Sequence, residues 1–302
     1  MGNKIMKTRE IQIRDPFVVP IEDEGMYYLF GTTDTNAWRG KGTGFDCYKS
    51  SDLLEWDGPI PAFRPPPAFW ATTNFWAPEV HPFNGRFYMF ASFKADTKYR
   101  GTQILVSDTV SGPYSPFTDG PVTPSDWECL DGTLYVDRDG RPWIVFCHEW
   151  TQVHNGAIYA MRLSPDLKQA VGRPVFLFNA SEGGWVRQSE WPKEGELRRF
   201  PDYVTDGPFL HRLASGTLVM LWSSMGVKGY AVGVARSETG HVTGPWRQKA
   251  EPLWAEDGGH GMIFRTFDAR LMLTFHRPNN TPEERPVFVE IEEADDDIRI
   301  KT

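Results

Sequence analysis

Only 3 cysteines, Cys47, Cys129 and Cys147, occur in the 302 residues. Their odd number and wide spacing argue against a disulfide framework, and the short paired spacings of a zinc site are absent. Reduced, buried thiols are expected. Apolar runs are short as well: no stretch of about 18 apolar residues occurs, so no membrane-spanning helix is expected. The polar residues 1–10 lack the apolar core of a signal peptide, which points to a cytoplasmic protein. Positive charge is scarce, with 32 Lys and Arg against 40 Asp and Glu, a formal net charge of -8, and no basic run. A nucleic-acid partner is therefore not expected, because phosphate binding needs a basic face. Sustained helical periodicity is missing too.

Aromatic residues, by contrast, are abundant: 12 Trp, 20 Phe and 10 Tyr make up 14% of the chain, offering many flat faces for stacking. Strand-like runs of Val, Ile, Phe, Tyr and Trp are separated by Gly, Pro, Asn and Asp, so the chain reads as all-β. One unit recurs five times: an acidic or polar residue, a strand, a tight turn, an aromatic-rich strand, a third strand, and a closing Ser-Asp or Gly-Pro-aromatic turn. The units open at Asp15, Glu79, Asp131, Asp206 and His260. Repeats of three or four strands are blades, and five of them predict a five-bladed β-propeller, one catalytic domain over residues 1–302 with no linker. A β-sandwich is the competing architecture, but it has no reason to repeat the closing turn. Residues 179–199 form the main long polar insertion, a place where function tends to lie.

Innermost strands run along a propeller's axis, so their first residues are expected to meet at one mouth. Asp15, Glu79, Asp131, Asp206 and His260 would then crowd four carboxylates and an imidazole together. Mutual repulsion and burial raise some carboxyl pKa values and leave others ionised. That division suits cleavage of a glycosidic bond, where one carboxylic acid protonates the leaving oxygen and a carboxylate activates water. Taken singly, Asp131-Gly132 and Asp206-Gly207 are ordinary turn dipeptides; their common phase with Asp15-Pro16 and Glu79 favours a functional ring. His260 is read as a ligand to a central ion or water, ahead of a catalytic or a structural role. Second strands return to the same mouth, and their ends nominate Asp34, Lys94, His148, Glu149, Trp222 and Arg277 as substrate contacts beside Glu79. Trp76, with Trp38, Phe75, Trp150 and Trp222, is a candidate for stacking on a sugar.

At these residues the sequence resembles glycoside hydrolase family 43, five-bladed propeller enzymes acting on arabinose- and xylose-containing polysaccharides. The resemblance spans nearly the whole chain. Its specific pieces are Ile13-Arg14-Asp15-Pro16, Trp76-Ala77-Pro78-Glu79-Val80, Leu130-Asp131-Gly132-Thr133-Leu134-Tyr135, Thr205-Asp206-Gly207-Pro208 and Gly259-His260-Gly261. It implies that Asp15 is the general base, that Asp131 orients and tunes the acid, that Asp206 holds the acid's position, and that His260 lies beside a central calcium; no organic cofactor is implied. The family's acid is normally a glutamate, and an aspartate reaches roughly 1.5 Å less far, so Glu149 is the alternative acid. No C-terminal sandwich follows the fifth unit, which counts against xylosidase activity. The expected protein is an inverting, exo-acting α-L-arabinofuranosidase on plant-cell-wall-derived oligosaccharides. A β-xylosidase, an arabinanase, a galactose-specific exo-hydrolase and a non-catalytic sugar-binding propeller stay open, as does the oligomeric state.

Overall fold

In the computed structural model, which describes residues 4–189 and 201–301, five antiparallel sheets stand in sequence order. Each is a blade whose strands run outward in order from the axis. The innermost strands are Arg14–Ile21, Thr73–Phe83, Cys129–Val136, Asp206–Arg212 and Gly259–Arg265. The second strands are Met26–Thr32, Arg86–Ala95, Pro142–His148, Leu218–Gly226 and Leu271–Arg277. Blades 2 to 5 have four strands, and blade 1 gains a fifth because Lys4–Lys7 pairs along the outer edge of Glu55–Phe63. The part of the polar insertion at 190–199 lies outside the described residues.

Strands sandwiched between neighbouring blades are buried on both faces, so they read as continuous apolar runs rather than alternating ones. Leu218-Val219-Met220-Leu221-Trp222 is such a run, every residue at most 1% exposed. The repeated closing turn has a local cause. In blade 2 the Tyr114 hydroxyl donates to the Val110 carbonyl at 2.7 Å, and in blade 4 the Trp246 indole N–H donates to the Val242 carbonyl at 2.9 Å. Each aromatic thereby closes its own turn on a carbonyl four residues back, beyond the end of the third strand.

Every innermost strand carries a bulge near its start, where pairing with the second strand slips. The bulged residue has a left-handed φ: Asp15 at 53°, Ala77 at 46°, Asp131 at 54°, Gly207 at 52° and His260 at 57°. These five positions, rather than the five expected, are the equivalent ring. Glu79 lies two residues beyond its blade's ring position and Asp206 one residue before. An extra residue in a strand reverses the face of everything on one side of it. Asp206 therefore approaches the axis from a different backbone site than Asp15 and Asp131.

The ring is stitched between blades. Ala77 N–H donates to Thr32 Oγ1 (2.8 Å), Asp131 N–H to Ser92 Oγ (2.9 Å), His260 N–H to Ser223 Oγ (2.8 Å) and Asp15 N–H to His276 Nδ1 (3.1 Å). Each acceptor is the second-strand residue opposite the bulge of the preceding blade. In blade 3 that position is Cys147, opposite Leu130, and a thiol is a weak acceptor. Gly207 N–H turns instead to the Asp131 carboxylate, Oδ2 at 2.9 Å.

Candidate active site

One cavity of about 140 Å³ opens over this ring, and Asp15, Asp131, Asp206 and His260 all line it with Glu149, Trp38, Trp76 and Tyr230. Asp15 is partly buried among cations and donors: Thr32 Oγ1 donates to its Oδ2 at 2.7 Å, and His260 Nδ1 lies 3.2 Å from its Oδ1. Burial alone would raise its pKa. His260, its hydrogen bond, Arg14 and His276 outweigh burial and hold the carboxyl well below the usual range. The His260 imidazole is lowered by burial but raised further by Asp15 and Asp131, to about 10, so it is a cation at neutral pH. Burial, with Arg14 and His260 nearby, lowers His276 to about 3. His276 is thus neutral, free to accept the Asp15 N–H.

Asp131 and Asp206 move the other way. Burial raises both; Asp206 and Asp15 add to the rise at Asp131, and Glu149 and Asp15 to that at Asp206, against the opposing pull of His260. Hydrogen bonds to the charged forms, from Gly207 N–H to Asp131 and from the Tyr230 hydroxyl to Asp206 Oδ2 at 2.9 Å, oppose the rise without cancelling it. The two titrate as a pair. Between them they retain a proton to higher pH than an isolated aspartate. The Tyr230 bond engages Oδ2 of Asp206, which leaves Oδ1 for other partners.

Glu149, the alternative acid, also lines the cavity, directly after the second strand of blade 3, and is ion-paired to the buried Arg100. Arg100 lies 4.2 Å over the Trp76 ring and Arg14 lies 4.7 Å over Trp38, while the two indoles meet edge to face at 5.4 Å. Their N–H groups donate to Ala37 O (2.6 Å) and Thr281 Oγ1 (2.9 Å), locking the pair as one wall. Trp150 lines the cavity too.

Other expected contacts do not line it among the described residues. Glu79 is buried and bound to His81 at 3.0 Å. Trp222 is fully buried between Phe178 and Trp185, a packing residue; Phe75 is likewise core. His148 stacks on Trp127 at 4.2 Å, and exposed Arg277 lies over Trp254 at 5.6 Å. Asp34 braces its own loop through Thr43 N–H at 3.1 Å, and Lys94 pairs with Glu128 at 2.6 Å. Sequence reasoning missed Tyr230, Arg14 and Arg100; Ser92 and Ser223 fall in the second-strand ends expected to touch substrate, but they accept ring N–H groups instead. Arg14 stood in a motif that was read, whereas Tyr230 carries no local signal.

A calcium ion takes about 6–8 oxygen ligands. Among the described residues no three His, Cys, Asp or Glu side chains gather with metal-holding geometry, and His260 Nδ1 already faces Asp15 and Asp131, at 3.2 and 3.7 Å. Among the described residues the side chains do not build a calcium cage, and the chemistry of the site runs through its own carboxyl groups.

A pocket that keeps one carboxylate ionised and a proton on a neighbouring pair has the two states that acid–base cleavage of an acetal requires. On a five-bladed propeller this marks a glycoside hydrolase. Residues 9–297 match the model of glycosyl hydrolases family 43, and the chain belongs to that family. An endo-arabinase structure from Bacteroides thetaiotaomicron superimposes with a TM-score of 0.86 at 42% identity, covering 96% of this chain and 98% of that one. The extracellular exo-α-(1→5)-L-arabinofuranosidase of Cellvibrio japonicus is 24% identical over 84% of this chain and 72% of its own. An extracellular endo-α-(1→5)-L-arabinanase of Bacillus subtilis is 24% identical over 55% of this chain, a match spanning 56% of the Bacillus protein.

Proposed function

We propose that the chain hydrolyses α-(1→5)-linked L-arabinofuranosyl chains with inversion, releasing arabinose from chain ends. One observation carries the mechanism: Asp15 is held ionised in the same pocket where Asp131 and Asp206 hold a proton. Asp15 is the base that takes a proton from water. Asp206 gives its proton to the leaving oxygen, and Asp131 keeps that proton on the pair through burial and repulsion. His260 neutralises the charge around Asp15. Arabinan as substrate rests on the names of the relatives, which include both endo- and exo-acting proteins. Release from chain ends is supported by the small cavity and its locked Trp38–Trp76 wall. Digestion of linear arabinan, followed by anomer-resolved NMR of the first product, tests both points. Arabinose of inverted anomeric configuration is expected from the outset; oligosaccharides appearing first would make the action endo, and retained configuration would remove Asp15 as base.

A further inference from the structure

A second, larger cavity of about 710 Å³ opens between blades 2 and 3, within the size range of ligand sites, about 300–1,000 Å³. Arg100 joins it to the first. It lines the second cavity, while its guanidinium lies over Trp76 and binds Glu149 and Asn74 Oδ1, the latter at 3.2 Å. The floor is built and rigid: Glu128 accepts from Lys94 Nζ at 2.6 Å and from Arg100 N–H at 2.8 Å. One wall is Trp70, half-buried, its indole N–H fixed on Gln103 Oε1 at 2.6 Å, with Lys98 Nζ 5.7 Å from the ring centre. Tyr99, 49% exposed, lines the same cavity.

The charges indicate the ligand class. Lys94 is matched by Glu128 and Arg100 by Glu149, which leaves Lys98 and Asp96 to cancel. No net charge remains to hold an anion or a cation. What remains is aromatic surface beside many fixed polar groups, a lining suited to a neutral polyhydroxylated chain with apolar C–H faces and hydroxyl edges.

We propose that this cavity holds the part of a neutral oligosaccharide that lies beyond the bond cut in the first pocket, with Trp70 and Tyr99 as stacking platforms. The inference rests on the proposal that the first pocket cleaves such chains. Lys94, expected at the cleavage site from sequence, would act here instead.

Trp70→Ala and Tyr99→Ala test it, since neither side chain lines the cleavage pocket. On linear arabino-oligosaccharides of increasing length, each variant is expected to lose kcat/KM progressively, by about tenfold on the longest for one lost platform. On nitrophenyl arabinofuranoside, too short to reach the cavity, both should match the parent. Equal kcat/KM at every length, or an equal loss on the nitrophenyl substrate, overturns the proposal. If the unmodified enzyme cleaves neither substrate, the arabinan reading has failed on its own. Calorimetric titration of arabino- and xylo-oligosaccharides into parent and Trp70→Ala then decides the second site: weakened binding in the variant supports it, and unchanged or absent binding refutes it.

Discussion

Asp206 performs its proposed task with a shorter arm than the glutamate usual in the family, and its surroundings compensate in kind. Tyr230 fixes one oxygen, burial and neighbouring carboxylates retain a proton, and the backbone brings the residue in one position ahead of the ring. Glu149 has a longer side chain, but its carboxylate is engaged by Arg100. Asp206→Ala is therefore expected to lower kcat by about 10²–10⁴-fold on oligosaccharides, whose leaving group needs the proton, and to spare activated aryl glycosides. Glu149→Ala should weaken both substrate types alike. The pH profile gives a second readout. An acid with a raised pKa is active below that pKa and loses activity as pH rises through it, so the alkaline limb should lie above the ordinary carboxylate value of about 3.9 and vanish in Asp206→Ala assayed on aryl glycosides. The acidic limb belongs to Asp15, whose depressed pKa puts loss of the base at far lower pH. A leaving-group-selective loss in Glu149→Ala, with a mild Asp206→Ala, would transfer the acid role. At this scale Asp15, Asp131, Asp206 and His260 were legible because each stands in a short motif at the head of a strand. Tyr230 and Arg100 were not, since each is a third-strand residue reaching a distant carboxylate, Tyr230 that of Asp206 in its own blade and Arg100 that of Glu149 in the next, and no local pattern encodes such contacts.

The element that decides the site is the bulge. Strand count, strand order and the closing turns could be read from alternation and repetition, but the register at the start of each innermost strand could not. One inserted residue changes which side chain faces the axis, and it leaves no mark on hydrophobic pattern. Glu79 entered the expected ring for that reason, while Ala77 holds the place. Gly207 shows how tightly the geometry is drawn. Its φ is +52°, and a Cβ added there would lie 2.8 Å from His260 Cδ2. An L-residue in this conformation costs about 1–2 kcal/mol before any clash, and the imidazole it would push against is pinned between Asp15 and Asp131. Gly207→Ala is expected to destabilise the protein by at least that amount in chemical denaturation, and to lower kcat by disturbing the Gly207 N–H bond to Asp131. A variant with parent stability and activity would mean that the bulge tolerates a side chain and does not fix the pair.

Across the whole molecule, five blades must also close into a ring, and the seam between blade 5 and blade 1 is made by side-chain contacts and a backbone bond from Ile13 N–H to the Glu284 carbonyl at 3.4 Å. Among the described residues no strand crosses it: Lys4–Lys7 pairs within blade 1, and the last strand, Asp297–Ile300, within blade 5. Tyr27 stacks on Phe267 at 4.3 Å and its hydroxyl accepts the Phe267 N–H at 2.9 Å; Arg285 Nε donates to the Arg9 carbonyl at 2.9 Å. At the inner end Arg14 meets Glu284 at 2.7 Å, both buried, and Arg14 also supports Trp38 in the pocket wall. Removing one partner of a buried pair strands the other charge, at a cost of about 3–5 kcal/mol, whereas replacing both with apolar residues of similar volume is often near neutral. Glu284→Ala is accordingly expected to destabilise by that amount in denaturant unfolding. Arg14→Met with Glu284→Met should recover most of the stability yet stay impaired on substrate, because Trp38 would lose the cation beneath it. If Glu284→Ala loses less than about 1 kcal/mol, the pair is not what closes the ring, and the aromatic contacts at the outer end of the seam take over that role.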